Sequence, residues 1–197
     1  MSRRKELRIV FFDIETTGFS RVEDSILEVA AIVIDENYNI VDQYDAFINP
    51  GRPIPYKITQ LTGINDSMVR TARSENVVLN EFMAWVKKYN PDYVAGHNIK
   101  KFDLNWMEEK TAKYNISNSL RLNTIDTLEQ VTKLYKDGVL KNYTATTEKG
   151  NTSFKMEHLV RYFNLSEQTH RAIDDVMQNI IIYKNLKELE ETIDYGF

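Results

Sequence analysis

Apolar residues fill both faces of the first patterned stretch of the chain: Leu7, Ile9 and Phe11 interleave with Val10, Phe12 and Ile14, and the run ends on Asp13 and Glu15. A strand that is apolar on both faces is a central strand of a covered sheet. Ile26 to Ile34 and Ile40 to Ile48 are two further β-rich runs, parted by the turn-like segment Asp35-Glu36-Asn37-Tyr38-Asn39. Together they predict three consecutive antiparallel strands, closed by Asn49-Pro50-Gly51.

The period then changes. Glu75 to Tyr89 carries Val78, Phe82, Trp85 and Val86 at helical spacing, and Asp103 to Tyr114 carries Leu104 and Met107. Tyr93 to Gly96 and Leu122 to Ile125 predict a fourth and a fifth strand, and Asp126 with Glu129 three residues on is a capping-box signature for a helix. Helices over Lys155 to Phe163 and Ile173 to Leu189 complete the pattern. A meander followed by strands alternating with helices predicts an α/β fold. Its mixed sheet has five strands, three antiparallel and then two parallel, with helices on both faces. Gly138 to Ser153, rich in Thr, Asn, Lys and Gly, predicts a mobile loop or small hairpin that serves as a flap near substrate.

Composition narrows the picture. A chain of 197 residues fits one domain over its whole length and is long enough to bury a core. With 25 basic against 29 acidic residues the net charge is −4, which excludes a broad basic surface, so any nucleic-acid contact is local. There is no cysteine, so disulfides and thiolate zinc sites are excluded and a metal site draws on oxygen or imidazole. The longest apolar run, Val29 to Ile34, is far below the about 20 residues of a membrane helix. The basic start also lacks a signal-peptide core. A soluble, untargeted protein of the reducing cytoplasm, with no membrane partner, is expected.

Candidate chemistry begins at the end of the first strand. Asp13 and Glu15 are two apart, so both carboxylates share one face, where burying two bare charges is costly and a hard divalent cation relieves them. A lone pair of this kind is more often a solvated strand end. Thr16, Thr17 and Gly18 follow, giving DIETTG, with a sharp turn at Gly18 and hydroxyls and backbone N–H groups able to meet a nucleotide edge. Gly96-His97-Asn98 ends the fourth strand and Phe102-Asp103 opens the next helix, which places Asp103 in the crevice where α/β sheets hold ligands. The last cluster is His170-Arg171-Ala172-Ile173-Asp174-Asp175. Its spacing leaves Asp174 and Asp175 unresolved, because the answer depends on whether His170 is helical. Of the other histidines, His158 reads as structural and His97 is open.

The DIETTG, HNIKKFD and HRAIDD segments, in this order, resemble the three exonuclease motifs of the DEDD superfamily in its histidine-containing branch. That branch includes bacterial proofreading subunits, oligoribonuclease and ribonuclease T. The resemblance runs from about Leu7 to Leu186 and implies a ribonuclease H-like sheet. It places the four carboxylates at Asp13, Glu15, Asp103 and Asp175, with His170 as general base, and so prefers Asp175 over Asp174. Phe47-Ile48-Asn49-Pro50 and Leu61-Thr62-Gly63-Ile64 resemble the segments that lead to and line the nucleotide pocket. Between Asn98 and Phe102 stand three residues where many relatives have two, and Lys100 and Lys101 there either meet phosphate or are solvated.

The resemblance implies 3′→5′ exonucleolysis with two divalent ions, Mg²⁺ or Mn²⁺. Asp13 bridges them, Glu15 and Asp175 complete the first, and Asp103 holds the second directly or through water. Thr16, Thr17, Gly18, Leu61, Thr62, Asn98 and Phe102 are the expected substrate contacts, and a free single-stranded 3′ end of DNA or RNA is the expected partner. Two alternatives are a non-catalytic or polymerase-docked binding module and a metal-dependent endonuclease on the same fold. The chain stops soon after its last helix, without a long polar tail, so a free-standing enzyme is expected over a polymerase-tethered one.

Overall fold

The computed structural model describes residues 6–165 and 171–194. Strands β1 (Ile9–Thr16), β2 (Ile26–Ile34) and β3 (Ile40–Asn49) form the antiparallel meander. Beyond it lie β4 (Arg73–Ser74), β5 (Tyr93–Gly96) and β6 (Asn123–Asp126). The helices are α1 (Tyr56–Thr62), α2 (Asp66–Val69), α3 (Glu75–Tyr89), α4 (Asp103–Lys113), α5 (Thr127–Lys136), α6 (Met156–Tyr162) and α7 (Ala172–Asp194). The sheet runs in the order β4-β3-β2-β1-β5-β6, with β5 parallel to β1 and β6 parallel to β5.

Among the described residues the sheet therefore has six strands rather than five. The extra strand, β4, is two residues pairing in parallel with the end of β3, and two residues carry no periodicity for a sequence pattern to reveal. The short α1 and α2 escaped the pattern for the same reason. Together they form a strap in which Ile54, Ile64 and Val69 pack on Leu27.

The double-sided apolarity of β1 divides its side chains between two cores. Val10, Phe12 and Ile14 pack with Phe82 and Val86 of α3 and Trp106 and Met107 of α4. Ile9 and Phe11 join Ala30, Ile32 and Ile34 of β2 beneath Ala172, Val176, Ile180 and Tyr183 of α7. Asp13 and Glu15 continue the second series, so they face the side covered by α7. A slip of one residue would exchange the two faces, so the register that buries Phe11 and Phe12 also decides where the carboxylates point. Among the described residues no helix is long and apolar enough to cross a membrane.

Candidate active site

Helix α7 lies along β1 and β2 on a stripe of Ala172, Val176 and Ile180, spaced one turn apart. Asp175 sits beside that stripe in the first turn and extends it toward the end of β1. Carboxylate oxygens of Asp13, Glu15 and Asp175 all lie within 4.8 Å of one another. Of the two neighbours Asp174 and Asp175, it is Asp175 that lies within this group.

Asp103, the first residue of α4, is fully buried just beyond the three, and its Oδ1 accepts a hydrogen bond from the Ile14 backbone N–H at 3.2 Å. All four carboxylates line one cavity of about 560 Å³, which also takes in His97, Asn98, Phe102, Thr147, Phe154 and Lys155.

Burial and mutual repulsion make these carboxyls reluctant to ionise. Asp13 is held well above the ordinary carboxyl range, first by burial and then by the charges of Asp103, Glu15 and Asp175. Burial, then Asp175, Glu28 and Asp103, pushes Glu15 up to about 8. Burial raises Asp103 to about 7, against the pull of hydrogen bonds from its own N–H and that of Ile14. An all-oxygen donor set under this repulsion suits a hard divalent cation, which would convert mutual repulsion into coordination. The residues thus fit the metal site that the motifs imply.

The turn that follows β1 is built inward. The Thr17 side chain is buried, and its hydroxyl meets Asp24 Oδ1 at 3.2 Å, Arg52 Nη2 at 3.0 Å and the Ser25 N–H at 2.9 Å. Thr16 donates to the Gly18 carbonyl at 2.7 Å. Gly18 is required by close approach, because a Cβ there would stand 2.3 Å from Asp24 Oδ2. Leu61 protrudes at 62% exposure, whereas Thr62 is buried with its hydroxyl on the Ile58 carbonyl. Gly63 ends α1 in the left-handed conformation, at φ 71°. Thr16, Thr17, Gly18, Leu61 and Thr62 are not among the residues lining the cavity, whereas Asn98 and Phe102 are.

His170 lies outside the described residues. His97 is half-buried, with Nδ1 3.0 Å from Thr127 Oγ1 and Nε2 2.8 Å from the Phe154 carbonyl. The carbonyl can only accept, so Nε2 carries a proton, and desolvation lowers the pKa of the ring below its ordinary value. His97 thus ties β5 to the segment leading into α6. That segment begins as a small hairpin bridged at Thr146 and Thr152, within the stretch expected to form a flap. Its residues Thr147, Phe154 and Lys155 make one wall of the cavity. Lys100 pairs with Glu129 at 2.5 Å, while Lys101 lines an adjoining cavity with Asn98, Asp126 and Lys133.

The sequence reading saw Asp126 only as a helix cap and passed over Glu28, and both are buried. Asp126 caps α5 through the Leu128 N–H at 3.0 Å, and the same carboxylate accepts from the Asn98 and Lys100 N–H groups at 3.0 and 3.2 Å. It thereby holds the turn that leads into Phe102 and Asp103. Glu28, opposite Glu15 in the β1–β2 register, is fully buried and bound to Arg171. Its signal was available: it is the lone charge in the strand ILEVAAIVI, and a charge in such a run needs a partner.

A mixed sheet whose central strand ends in carboxylates, joined by acids from the first turns of two helices, has the architecture of the ribonuclease H-like fold class. Comparison with known proteins is more specific. The exonuclease family model (RNase_T) matches residues 10–183, and the chain belongs to that family. It is 36% identical over 188 residues to the PolC-type DNA polymerase III of Caldanaerobacter subterraneus subsp. tengcongensis, a match covering 94% of this chain and 12% of that protein. Identity to the PolC-type DNA polymerase III of Bacillus subtilis is 33% over 193 residues, covering 98% of this chain and 12% of that protein. The chain therefore spans only about an eighth of these relatives. The crystal structure of E. coli Exonuclease I in complex with a dT13 oligonucleotide shares the fold, with a TM-score of 0.80 at 20% identity over 96% of this chain and 43% of that one.

Proposed function

We propose that this chain hydrolyses phosphodiester bonds from a free single-stranded 3′ end of DNA or RNA, releasing nucleoside 5′-monophosphates one at a time. The observation that carries the reading is the convergence of Asp13, Glu15 and Asp175 within 4.8 Å at the end of a central strand. Membership of an exonuclease family and the likeness to a single-strand-bound Exonuclease I support it.

Asp13, Glu15 and Asp175 would hold divalent ions, Mg²⁺ or Mn²⁺, with Asp103 completing the set directly or through water. Two such ions supply charge stabilisation for the attacking and leaving oxygens of an in-line displacement. His170 accepts the proton of the attacking water at a ring nitrogen, a role to which imidazole is suited near neutral pH. The water oxygen bonds to phosphorus, the bond to the 3′ oxygen breaks, that oxygen takes a proton from solvent, and His170 returns its proton to solvent. Asn98 and Phe102 border the cavity and hold the terminal nucleotide by packing and hydrogen bonding. The exposed Leu61 side chain packs against a base. Thr16, Thr17, Gly18 and Thr62 shape the segments that carry these contacts. The PolC-type relatives support a polymerase as partner.

The test is digestion of short 5′-labelled single-stranded DNA and RNA with Mg²⁺ or Mn²⁺, beside a circular single strand. The expected result is a ladder shortened from the 3′ end, an intact circle, and no products with Asp13→Ala or His170→Ala. Cleavage of the circle, or full activity in Asp13→Ala, would overturn the reading.

A further inference from the structure

Glu28 does not touch the cavity, yet it is fully buried and both of its carboxylate oxygens are engaged by the residues that open α7. Oε1 accepts from Arg171 Nε at 2.9 Å and Nη2 at 2.6 Å, and Oε2 accepts from the Ala172 backbone N–H at 3.2 Å. The guanidinium is held on two further sides: it lies 4.5 Å from the centre of the Phe47 ring, and Nη2 is 3.4 Å from Asp45 Oδ2. Two guanidinium N–H groups converging on one carboxylate oxygen fix direction as well as distance, which the single ammonium of a lysine does not.

The placement matters because of what lies at either end. Glu28 is the β2 partner of Glu15 across the β1–β2 ladder. Ala172 lies three residues before Asp175, which is nearly one helical turn. A continuous path therefore runs from Glu15 across the ladder to Glu28, through Arg171 and the Ala172 N–H, and up the first turn of α7 to Asp175. The segment before Arg171 ends at His170 in the chain, so the clamp sits where α7 begins.

We propose that Glu28 and Arg171 are positioning residues, a buried pair that locks the start of α7 onto β2 and so sets the spacing of Asp175 from Asp13 and Glu15, and with it the affinity of the site for divalent cations. The inference rests on the reading of those three carboxylates as metal ligands. It assigns to the arginine of the HRAIDD segment a structural partner and a reason for its position. Groups that orient ligands through hydrogen bonds typically govern metal affinity or activity by about 10–100-fold.

Two readouts separate positioning from simple stabilisation. Arg171→Met strands the Glu28 charge in the interior, so it lowers the melting temperature and weakens Mn²⁺ binding together. In the double variant Glu28→Gln/Arg171→Met the buried charge is gone, the melting temperature returns toward that of the parent chain, and the fork is still missing. The expected result is that this folded double variant binds Mn²⁺ about 10–100-fold more weakly, measured by electron paramagnetic resonance without nucleic acid. The Mn²⁺ needed for half-maximal nucleotide release rises in step.

Arg171→Lys, which keeps the charge beside Glu28 but loses the fork, decides by the same affinity criterion if the double variant does not melt cooperatively. A folded variant lacking the fork that binds Mn²⁺ as tightly as the parent overturns the proposal. If the parent chain itself shows no Mn²⁺ binding that Asp13→Asn removes, the metal reading fails first and the clamp falls with it.

Discussion

Asp13 occupies a position that is costly for folding and valuable for metal binding. Burial first, and then the charges of Asp103, Glu15 and Asp175, raise its carboxyl well above the ordinary range. Asp13→Asn removes one ionisable group from the cluster without changing its shape, so two opposite effects are expected. Metal-dependent nucleotide release falls by more than about a hundredfold, on the scale of losing an element of a metal site. The metal-free protein, by contrast, melts higher at pH 8 by a few degrees, since about 1 kcal/mol moves Tm about 2–4 °C in a chain of this size. Differential scanning fluorimetry with a chelator checks the second effect, and a lower Tm would contradict the electrostatic account.

At the same scale, the spacing of the sequence motifs showed which residues carry charge but not which way the hydroxyls turn. Thr17 faces inward because Asp24 and Arg52 lie in wait beneath it, and Arg52 is 35 residues away in the chain, beyond any local pattern. Asp174 and Asp175 were inseparable by spacing, and the packing stripe of α7 separated them.

Elements transmit these residue-level choices. The strand β1 was legible because its alternation continues on both faces for a full element, and α3 because Val78, Phe82 and Val86 repeat over 15 residues. The strap of α1 and α2 and the two-residue β4 were not legible, since their place is fixed by tertiary contacts such as the Ile54 N–H on Asp66 Oδ1 at 2.9 Å.

Asp126 shows the same limit in reverse. The capping signature was visible, but its second task, holding the turn after β5 through the Asn98 and Lys100 N–H groups, depends on β5 and β6 being neighbours. Its removal therefore acts at two places. Asp126→Ala is expected to destabilise the fold by about 1–3 kcal/mol, through the lost cap and the unpaired N–H groups. It is also expected to reduce turnover by displacing Asp103. Urea unfolding and steady-state kinetics on one preparation check both, and unchanged turnover in a destabilised protein would show that the turn does not position Asp103.

For the whole molecule the acidic cluster couples stability to pH and to metal. Glu15 is raised from 4.5 to about 8 and Asp103 from 3.8 to about 7, with burial the leading cause in each case. Over the interval between those values the folded chain holds protons that the unfolded chain has lost, so stability declines as pH rises and levels off above about 8. Metal-free protein is therefore expected to show a Tm that falls between pH 5 and pH 8. Added Mg²⁺ or Mn²⁺ displaces those protons, so its stabilising effect grows over the same range. A Tm that rises with pH without metal would oppose this linkage.

The claim beneath all of these expectations is that acids far apart in the chain meet to hold divalent cations. Anomalous diffraction at the manganese edge from Mn²⁺-soaked crystals tests it most directly. The expected result is density among the carboxylates of Asp13, Glu15 and Asp175, lost in Asp13→Asn crystals. Clear Mn²⁺ density elsewhere, with none among those three side chains, would contradict the account.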